Sequence, residues 1–185
     1  MEVFDAIHTR RSMGAVKADP LSRETIRALL EAGNQAPNHH RVRPWRFFVL
    51  TGAARERLGD VMAASQRDRQ PDAPSDSLER ARALPLRAPV VIAVGADAPR
   101  DEKIIEIENV CAAAAACENI LLAAHALGLG AIWRTGTWAR DPKVKAFFGL
   151  ASEQHLVAFI YVGIPGGEAK AIERPPVDDR AVWME

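Results

Sequence analysis

The stretch Val110–Gly130 reads VCAAAAACENILLAAHALGLG and is the longest apolar run of the chain. About 20 such residues would suffice to cross a bilayer, but lipid would penalise Glu118 and Asn119. The consecutive alanines instead predict a helix that is gripped closely on several sides inside a protein core. We therefore expect a buried central helix over about 104–127, ended by Gly128.

Two unbroken apolar runs, Pro89–Gly95 and Leu156–Val162, flank this helix in the sequence. Runs without polar alternation are typical of strands covered on both faces, so both are predicted to be central strands. The shorter runs Phe47–Leu50 and Ala131–Trp133 predict two further strands. The expected fold class is α+β, in which helices sandwich a mixed or antiparallel sheet of about four to five strands.

An opening helix is predicted from Val3 or Phe4 to about Arg11, with Phe4 and Ile7 turned toward the core by their spacing. Later helix boundaries are predicted from two signals, a capping side chain at the start of a helix and a glycine at its end. The predicted signals are Ser22 and Gly33 for one helix, Thr51 for another, and Asp141-Pro142 with Gly149 for a third.

Two segments are expected outside the packed part of a single domain that covers residues 1–185. Residues 66–80 are polar and contain two prolines. They predict a mobile flap, because so few apolar groups do not offset the entropy of ordering. Residues 164–185 are rich in proline and charge but end in Val182-Trp183-Met184, which is typical of an arm that docks on another surface.

Lys plus Arg and Asp plus Glu each total 24, so the formal net charge is zero. No overall field draws the chain to nucleic acid or to an anionic membrane, and neither is expected as a partner. The start Met1–Asp5 does not resemble a signal peptide, so a cytoplasmic location is expected. Cys111 and Cys117 lie about 120° apart on a helix and are interpreted as core thiols, with no metal site predicted.

Three polar motifs can carry chemistry, and each has a structural alternative. Arg10-Arg11-Ser12 offers two guanidinium groups and a hydroxyl to a phosphate, or is a solvated helix end. The loop 34–47 is bracketed by prolines and presents ligand contacts, or merely joins a helix to a strand. The glycines of 128–136 allow a flat ligand to approach the backbone, or simply stop a helix before a short strand.

Taken together, the motifs resemble the nitroreductase family and, within it, the short YdjA-like branch. In order they are Arg10-Arg11-Ser12, Ala36-Pro37-Asn38-His39, Pro44-Trp45-Arg46-Phe47-Phe48-Val49, Gly130-Ala131-Ile132-Trp133-Arg134-Thr135-Gly136 and Tyr161-Val162-Gly163-Ile164-Pro165. Each motif is short, but five in order across nearly the whole chain make the resemblance specific. It implies a three-layer α+β fold whose C-terminal arm, residues 164–185, is exchanged in a homodimer.

The resemblance also implies FMN as the cofactor, bound at the interface of the two subunits. It carries the FMN contacts over to Arg10, Arg11, Ser12, Gln35, His39, Trp133, Arg134 and Thr135. It carries nicotinamide nucleotide contacts over to Ala123, Ala124, His125, Ala126, Leu127 and Gly128. Gln35 departs from the arginine of relatives, and Lys170 and Arg174 are both candidates for a further phosphate contact.

The implied activity is that of an FMN-dependent NAD(P)H oxidoreductase of the nitroreductase type. NADPH or NADH would reduce the flavin and leave before a small acceptor, such as a nitroaromatic, quinone or activated alkene, takes its place in a ping-pong exchange. The flavin carries the chemistry, so no catalytic side chain is predicted. The alternative is a flavin-binding carrier or sensor with little turnover.

Overall fold

A computed structural model of the protein describes residues 1–169 and 172–185. Its sheet is built from β1 (Trp45–Leu50), β2 (Val90–Ala96), β3 (Gly130–Arg134) and β4 (His155–Gly163). The strand order is β1-β2-β4-β3, and every neighbouring pair is antiparallel. The two long apolar runs are the central strands, as predicted. In the described residues the sheet is antiparallel and has four strands.

Helices cover both faces of this sheet. They are α1 (Val3–Thr9), α2 (Arg23–Gly33), α3 (Ala53–Arg69), α4 (Ser75–Ala83), α5 (Glu106–Ala126), α6 (Thr137–Arg140) and α7 (Pro142–Phe147). Ile92 and Ile160 face the layer formed by α2 and α5. Val91 and Phe159 face the opposite layer, which contains α3 and α7, because successive strand residues point to opposite faces. The predicted three-layer α+β fold is confirmed.

Helix α5 is the central helix that the alanine run predicts. Ala113, Ala116 and Ala124 have no exposed surface. The helix ends at Ala126 and is followed by Leu127 and by Gly128, whose φ is +72°. Its length and composition would also allow it to cross a membrane. Its packing between α2 and the sheet accounts for the same apolar composition.

The capping predictions are confirmed at two helices and wrong at a third. The Ser22 hydroxyl accepts from the Thr25 amide at the start of α2. The Asp141 carboxylate accepts from the amides of Lys143 and Val144 at the start of α7. At α3 the capping position belongs to Gly52, with φ +48°, and no side chain caps the helix. Thr51 therefore does not have the predicted role.

Gly33 does not stop α2 through a left-handed conformation, which corrects the prediction. It is the last residue of the helix, and Asn34 after it is still right-handed. A Cβ at Gly33 would lie 2.9 Å from Ile120 Cγ1 and 3.0 Å from Phe47 Cζ. Glycine is needed here because α2 approaches α5 and the sheet closely.

The opening helix has the predicted position but not the predicted inner face. It ends at Thr9, and Ala6 is its buried residue. Phe4 is 70% exposed and Ile7 is 49% exposed, so the expectation that they enter the core of the same chain is wrong. Sequence spacing identifies an apolar helix face but does not say which chain covers it.

The predicted flap at 66–80 is largely helical. Residues 66–69 complete α3 and residues 75–80 belong to α4, so that only 70–74 are irregular. Leu78 is buried against the rest of the chain, and α4 packs along α3. In the arm, Val177–Asp179 forms one short 3-10 turn, and Trp183 is 86% exposed.

Candidate functional site

The Arg10-Arg11-Ser12 motif directly follows α1 and lies beside the edge strand β3. The amide of Met13 donates to the Ala131 carbonyl at 2.8 Å, which ties the motif to this strand. Arg10 Nε lies 3.4 Å from Glu118 Oε1 of α5. Arg11 donates to the carbonyls of His8 and Arg10, at 2.7 and 2.9 Å. Both guanidinium groups are thus oriented by their own chain.

These guanidinium groups line a cavity of about 630 Å³. Its walls are Ile7, His8, Arg10, Arg11, Glu118, Ile172 and Arg174. The cavity therefore collects three arginines against one carboxylate, a balance that suits a phosphate monoester. Of the two arm residues considered from the sequence, Arg174 lies here, whereas Lys170 falls outside the described residues.

A second polar contact fastens α1 to the end of α5. Thr9 Oγ1 and His125 Nε2 lie 2.8 Å apart, and the Thr9 hydroxyl donates to the Asp5 carbonyl at 2.5 Å.

The residues predicted to contact the nicotinamide nucleotide lie at the end of α5, and they are not equally accessible. Ala124 is fully buried, whereas Ala126, Leu127 and Gly128 are exposed.

The proline-bracketed loop lies near the other end of α5. His39 Nδ1 is 2.8 Å from Glu108 Oε2, and its ring stacks on that of His40 with centroids 4.2 Å apart. His40, Arg41 and Arg43 all have positive φ, between 50 and 56°. Three left-handed, non-glycine residues within four positions are rare, and they persist only where the surrounding structure holds the backbone in place. Nothing in the sequence pattern indicated this conformation.

Gln35 is exposed in the same loop region. The Asn38 side chain accepts from the Arg43 amide at 2.9 Å and braces the turn from within. The cavity beside this loop is lined by Pro37, Asn38, His39 and residues of the first turns of α5.

The third motif ends β3 and begins α6. Arg134 and Thr135 are exposed, and a Cβ at Gly14 would lie 3.7 Å from Arg134 Nη2. Arg134 therefore reaches over the segment that follows Ser12, so the structure brings the first and third motifs together. Gly136 has φ +82°, and no atom lies within 4 Å of where its Cβ would be.

The second motif, the proline-bracketed loop, lies apart from the first and third motifs within one chain. Its His39 contacts Glu108, whereas Arg10 contacts Glu118. These carboxylates are ten residues apart on α5, which is about 15 Å along the helix axis. The predicted site residues thus form two groups in a single chain.

The first and third motifs, which lie close together in one chain, suit a nucleotide with a flat, polar ring. The indole Nε1 of Trp133 is buried and has no hydrogen-bond partner in the described residues. A buried donor without an acceptor costs about 1–3 kcal/mol, so an acceptor on a ligand or second chain would stabilise it. Together with the arginine-lined cavity, this donor set fits FMN.

Comparison with known proteins identifies the family to which this fold and these motifs belong. The model of the Nitroreductase family matches residues 7–164. The chain belongs to the nitroreductase family. A protein of Escherichia coli K12 named "Putative NAD(P)H nitroreductase YdjA" is 32% identical to this nitroreductase over 170 residues, which are 89% of each chain. The resemblance inferred from the five motifs is confirmed.

Solved structures of nitroreductases share the fold. The nitroreductase-like protein of Bacillus cereus superposes with a TM-score of 0.85 at 23% identity, over 100% of this chain and 97% of that one. A structure from Desulfovibrio desulfuricans, described as a nitroreductase in complex with FMN, has a TM-score of 0.77 and 28% identity. The superposition covers 100% of this nitroreductase and 98% of that chain.

Two buried groups of this nitroreductase have displaced pKa values. Burial, with a smaller contribution from the Glu118 charge, raises the pKa of the Cys117 thiol to about 12. Burial also raises the pKa of Tyr161, and the positive charges of Arg87 and Arg134 partly oppose this increase.

The prediction that both cysteines are core thiols is correct for Cys117 and wrong for Cys111. Cys111 is exposed and points away from the core. Residues 1–169 and 172–185 contain no cluster of three or more metal-binding side chains.

Proposed function

We propose that this chain is an FMN-dependent NAD(P)H oxidoreductase that reduces a small acceptor such as a nitroaromatic, a quinone or an activated alkene. The observation that carries the proposal is the cavity in which Arg10, Arg11 and Arg174 converge. FMN, when bound, supplies hydride transfer between the reduced nicotinamide and the acceptor in a ping-pong exchange. The protein then needs no nucleophile of its own.

The tasks of the side chains follow from their chemistry. Arg10 and Arg11, with the Ser12 hydroxyl, would hold the phosphate by charge-assisted hydrogen bonds. Arg174 would add a third positive charge from the arm. Trp133, with its free indole donor, would lie against the ring system together with Arg134 and Thr135. Fixed positive charge near a flavin stabilises its electron-rich reduced form.

Gln35 and His39 would complete the site from a second chain. Their loop lies well away from the arginine cavity in one chain, so a single chain offers only part of the predicted contact set. The exposed apolar faces support the same proposal. Phe4 and Ile7 on α1, and Ile107 on α5, are each at least 49% exposed, and such faces are covered in stable homodimers.

The C-terminal arm supports a homodimer as well. Strand β1 is an edge of the sheet, and a cavity of about 890 Å³ lies beside it. Its lining combines apolar Leu21, Leu30 and Val49 with Arg23, Arg27 and Arg55. Trp183 offers an aromatic ring to the apolar part of that lining, and Glu185 offers a negative charge to its arginines. We propose that the arm of one chain docks beside β1 of the other.

The nicotinamide donor would approach near the end of α5. Ala126, Leu127 and Gly128 are exposed there, whereas Ala124 is buried and Ala123 and His125 are half-buried. We propose that the exposed three contact the nucleotide and that the remaining three support the helix end. A cytoplasmic location, where NAD(P)H is available, is proposed with the activity.

The proposal is tested by the visible absorption of the purified protein with added FMN, followed by anaerobic NADPH. We expect flavin absorption to remain with the protein through gel filtration and to bleach on addition of NADPH. Arg10→Ala should weaken FMN binding at least about tenfold, because a charge-assisted contact is worth about 1.5–3 kcal/mol. Arg67→Ala, which removes an exposed arginine of α3, is the matched control and should bind FMN as the native chain does.

Each other outcome has a defined meaning. Bound flavin that does not bleach would indicate a flavin carrier or sensor with little turnover. A protein that takes up no FMN would overturn the proposed cofactor.

A further inference from the structure

A cavity of about 850 Å³ opens beside Thr135, where α6 and the start of α7 meet Val110 of α5 and the first residues of β4. Its polar lining consists of Arg69, Thr135, Thr137, Arg140, Asp141 and His155. None of these residues other than Thr135 belongs to the proposed FMN contacts. The cavity therefore adjoins the flavin site but is built from a different set of side chains.

Arg69 is held in a fixed orientation at this cavity. Its guanidinium donates to Asp141 Oδ2 and lies over the Trp138 ring, 4.8 Å from the centroid. An arginine that is both paired and stacked has lost most of its freedom before any ligand arrives. Its side chain is still 39% exposed, so part of its hydrogen-bonding edge is available.

The carboxylate that lines the cavity, that of Asp141, already accepts its full number of hydrogen bonds. Asp141 is 1% exposed, and its Oδ1 accepts from the amides of Lys143 and Val144. Its Oδ2 accepts from the Ser65 hydroxyl and from Arg69. Four donors saturate the lone pairs of a carboxylate, so Asp141 repels an anion far less than a free carboxylate would.

Arg140 supplies a positive charge that is not neutralised. It is exposed at the end of α6 and has no ion pair with any residue of 1–169 or 172–185. The imidazole of His155, which also lines the cavity, already contacts Glu106 at 2.5 Å. The net charge of the cavity lining is therefore positive, and Thr135 and Thr137 add two hydroxyl groups to it.

We propose that this cavity binds an anionic group, a carboxylate or a phosphate, on the molecule that reacts at the flavin. Arg140 makes the charged contact, and Arg69, fixed by Asp141 and Trp138, makes a second. The inference rests on the proposed function, because Thr135 links the cavity to the flavin. It goes beyond that function by naming a charge preference and the two residues that set it.

The test compares matched reactants that differ by one anionic group, in the flavin-loaded protein. For the acceptor the pair is 4-nitrobenzoate and 4-nitrobenzyl alcohol, and for the donor it is NADPH and NADH, which lacks the 2′-phosphate. In Arg140→Ala we expect KM for the member that carries the additional anionic group to rise about tenfold more than KM for its partner, which is about 1.4 kcal/mol. Arg140→Lys should retain most of the preference, because it keeps the charge.

The two pairs distinguish the source of the anion. A change confined to 4-nitrobenzoate assigns the cavity to the acceptor, and a change confined to NADPH assigns it to the 2′-phosphate of the donor. Arg67→Ala should leave both ratios at their native values. Calorimetric titration with 4-nitrobenzoate and with NADP⁺ provides a binding readout besides turnover, and Arg140→Ala should weaken one of the two.

Failure of the inference is distinct from failure of the proposed function. If the native protein reduces 4-nitrobenzyl alcohol with NADPH but Arg140→Ala changes neither ratio and neither titration, the anion site is wrong and the oxidoreductase stands. If the native protein shows no flavin-dependent turnover, the proposed function is wrong, and equal binding of both titrants by native and variant protein then rejects the anion site too.

Discussion

Arg10 Nε and Glu118 Oε1 lie 3.4 Å apart across the cavity that we assign to the FMN phosphate. Glu118 is 48% exposed, and a half-exposed ion pair contributes little to stability. In the proposed site the carboxylate would nevertheless compete with the FMN phosphate for the same guanidinium group. We expect Glu118→Gln to tighten FMN binding about three- to tenfold, as measured by flavin fluorescence titration.

Riboflavin separates this charge effect from a structural one, because it lacks the phosphate. Its affinity should change by less than about twofold in Glu118→Gln. Glu31→Gln, an exposed glutamate of α2, gives the same change in net charge elsewhere. Equal tightening of FMN and riboflavin, or weaker FMN binding, would show that Glu118 orients Arg10 and does not compete with the cofactor.

Gly59 lies where α3 crosses the end of α4, and its missing side chain allows that contact. A Cβ there would lie 2.1 Å from the Arg82 carbonyl oxygen. Because the opposing atom is backbone, the helices must separate, and Gly59→Ala should lower the free energy of unfolding by about 1–3 kcal/mol. Gly167→Ala, with no atom within 4 Å, should change it by less than about 0.5 kcal/mol. Urea unfolding of the two variants measures the difference, and equal midpoints would refute the close crossing.

Asp141 joins the start of α7 to two side chains of α3. Asp141→Ala removes the helix cap and leaves the Ser65 hydroxyl and the Arg69 guanidinium without their acceptor. We expect a loss of about 2–4 kcal/mol in the free energy of unfolding. Asp141→Asn keeps a capping oxygen and should lose less. If both variants unfold at the native denaturant concentration, this network does not stabilise the chain.

These interactions mark the limit of what the sequence predicts. Asp141-Pro142 is recognisable as a helix start because the capping signal is local. The same residue's bonds to Ser65 and Arg69 join positions more than 70 residues apart, and no local pattern indicates them. The two central strands were predictable, since unbroken apolar runs are their direct consequence.

The failed predictions share a physical reason. Phe4 and Ile7 have the spacing of an apolar helix face, but spacing does not say which chain covers it. The sequence pattern indicates Gly33 as a left-handed helix stop, whereas its role in the structure is to let Ile120 approach α2. The site motifs were visible as residue types, yet their division into two groups at opposite ends of α5 depends on tertiary packing. Only the folded chain shows that Arg174 joins Arg10.

The two cysteines should differ sharply in reactivity. Cys117 is fully buried, and burial raises its pKa from 9.0 to about 12, so it carries almost no thiolate near neutral pH. In Cys111→Ser we therefore expect no reaction with a thiol reagent in the native state and one reactive thiol after unfolding. Rapid labelling of the folded variant would contradict the burial of Cys117.

The same raised pKa makes a pH prediction with a defined sign. The folded state favours the neutral thiol, so its contribution to stability is complete below the unfolded pKa near 9.0 and is lost as the pH rises toward about 12. Cys117→Ala lacks this contribution. Between pH 9 and 11 the native chain should lose stability faster than the Cys117→Ala variant does, as followed by urea unfolding at each pH.

The arm should couple dimerisation to cofactor binding. Removing residues 177–185 deletes the exposed Trp183 and the acidic terminus but keeps Arg174 in the arginine cavity. If the arm docks beside β1 of the other chain, the dimer Kd measured by sedimentation should rise at least about tenfold. FMN affinity should fall with it, because Gln35 and His39 would come from the second chain.

Two point variants serve as controls for the truncation. Trp183→Ala should change the dimer Kd and the FMN affinity in the same direction by a smaller factor. Leu86→Ala, which truncates another exposed apolar side chain, should change neither. A truncated chain that keeps its dimer Kd would show that the arm does not hold the two chains together, and a weakened dimer with unchanged FMN affinity would show that each site is complete within one chain.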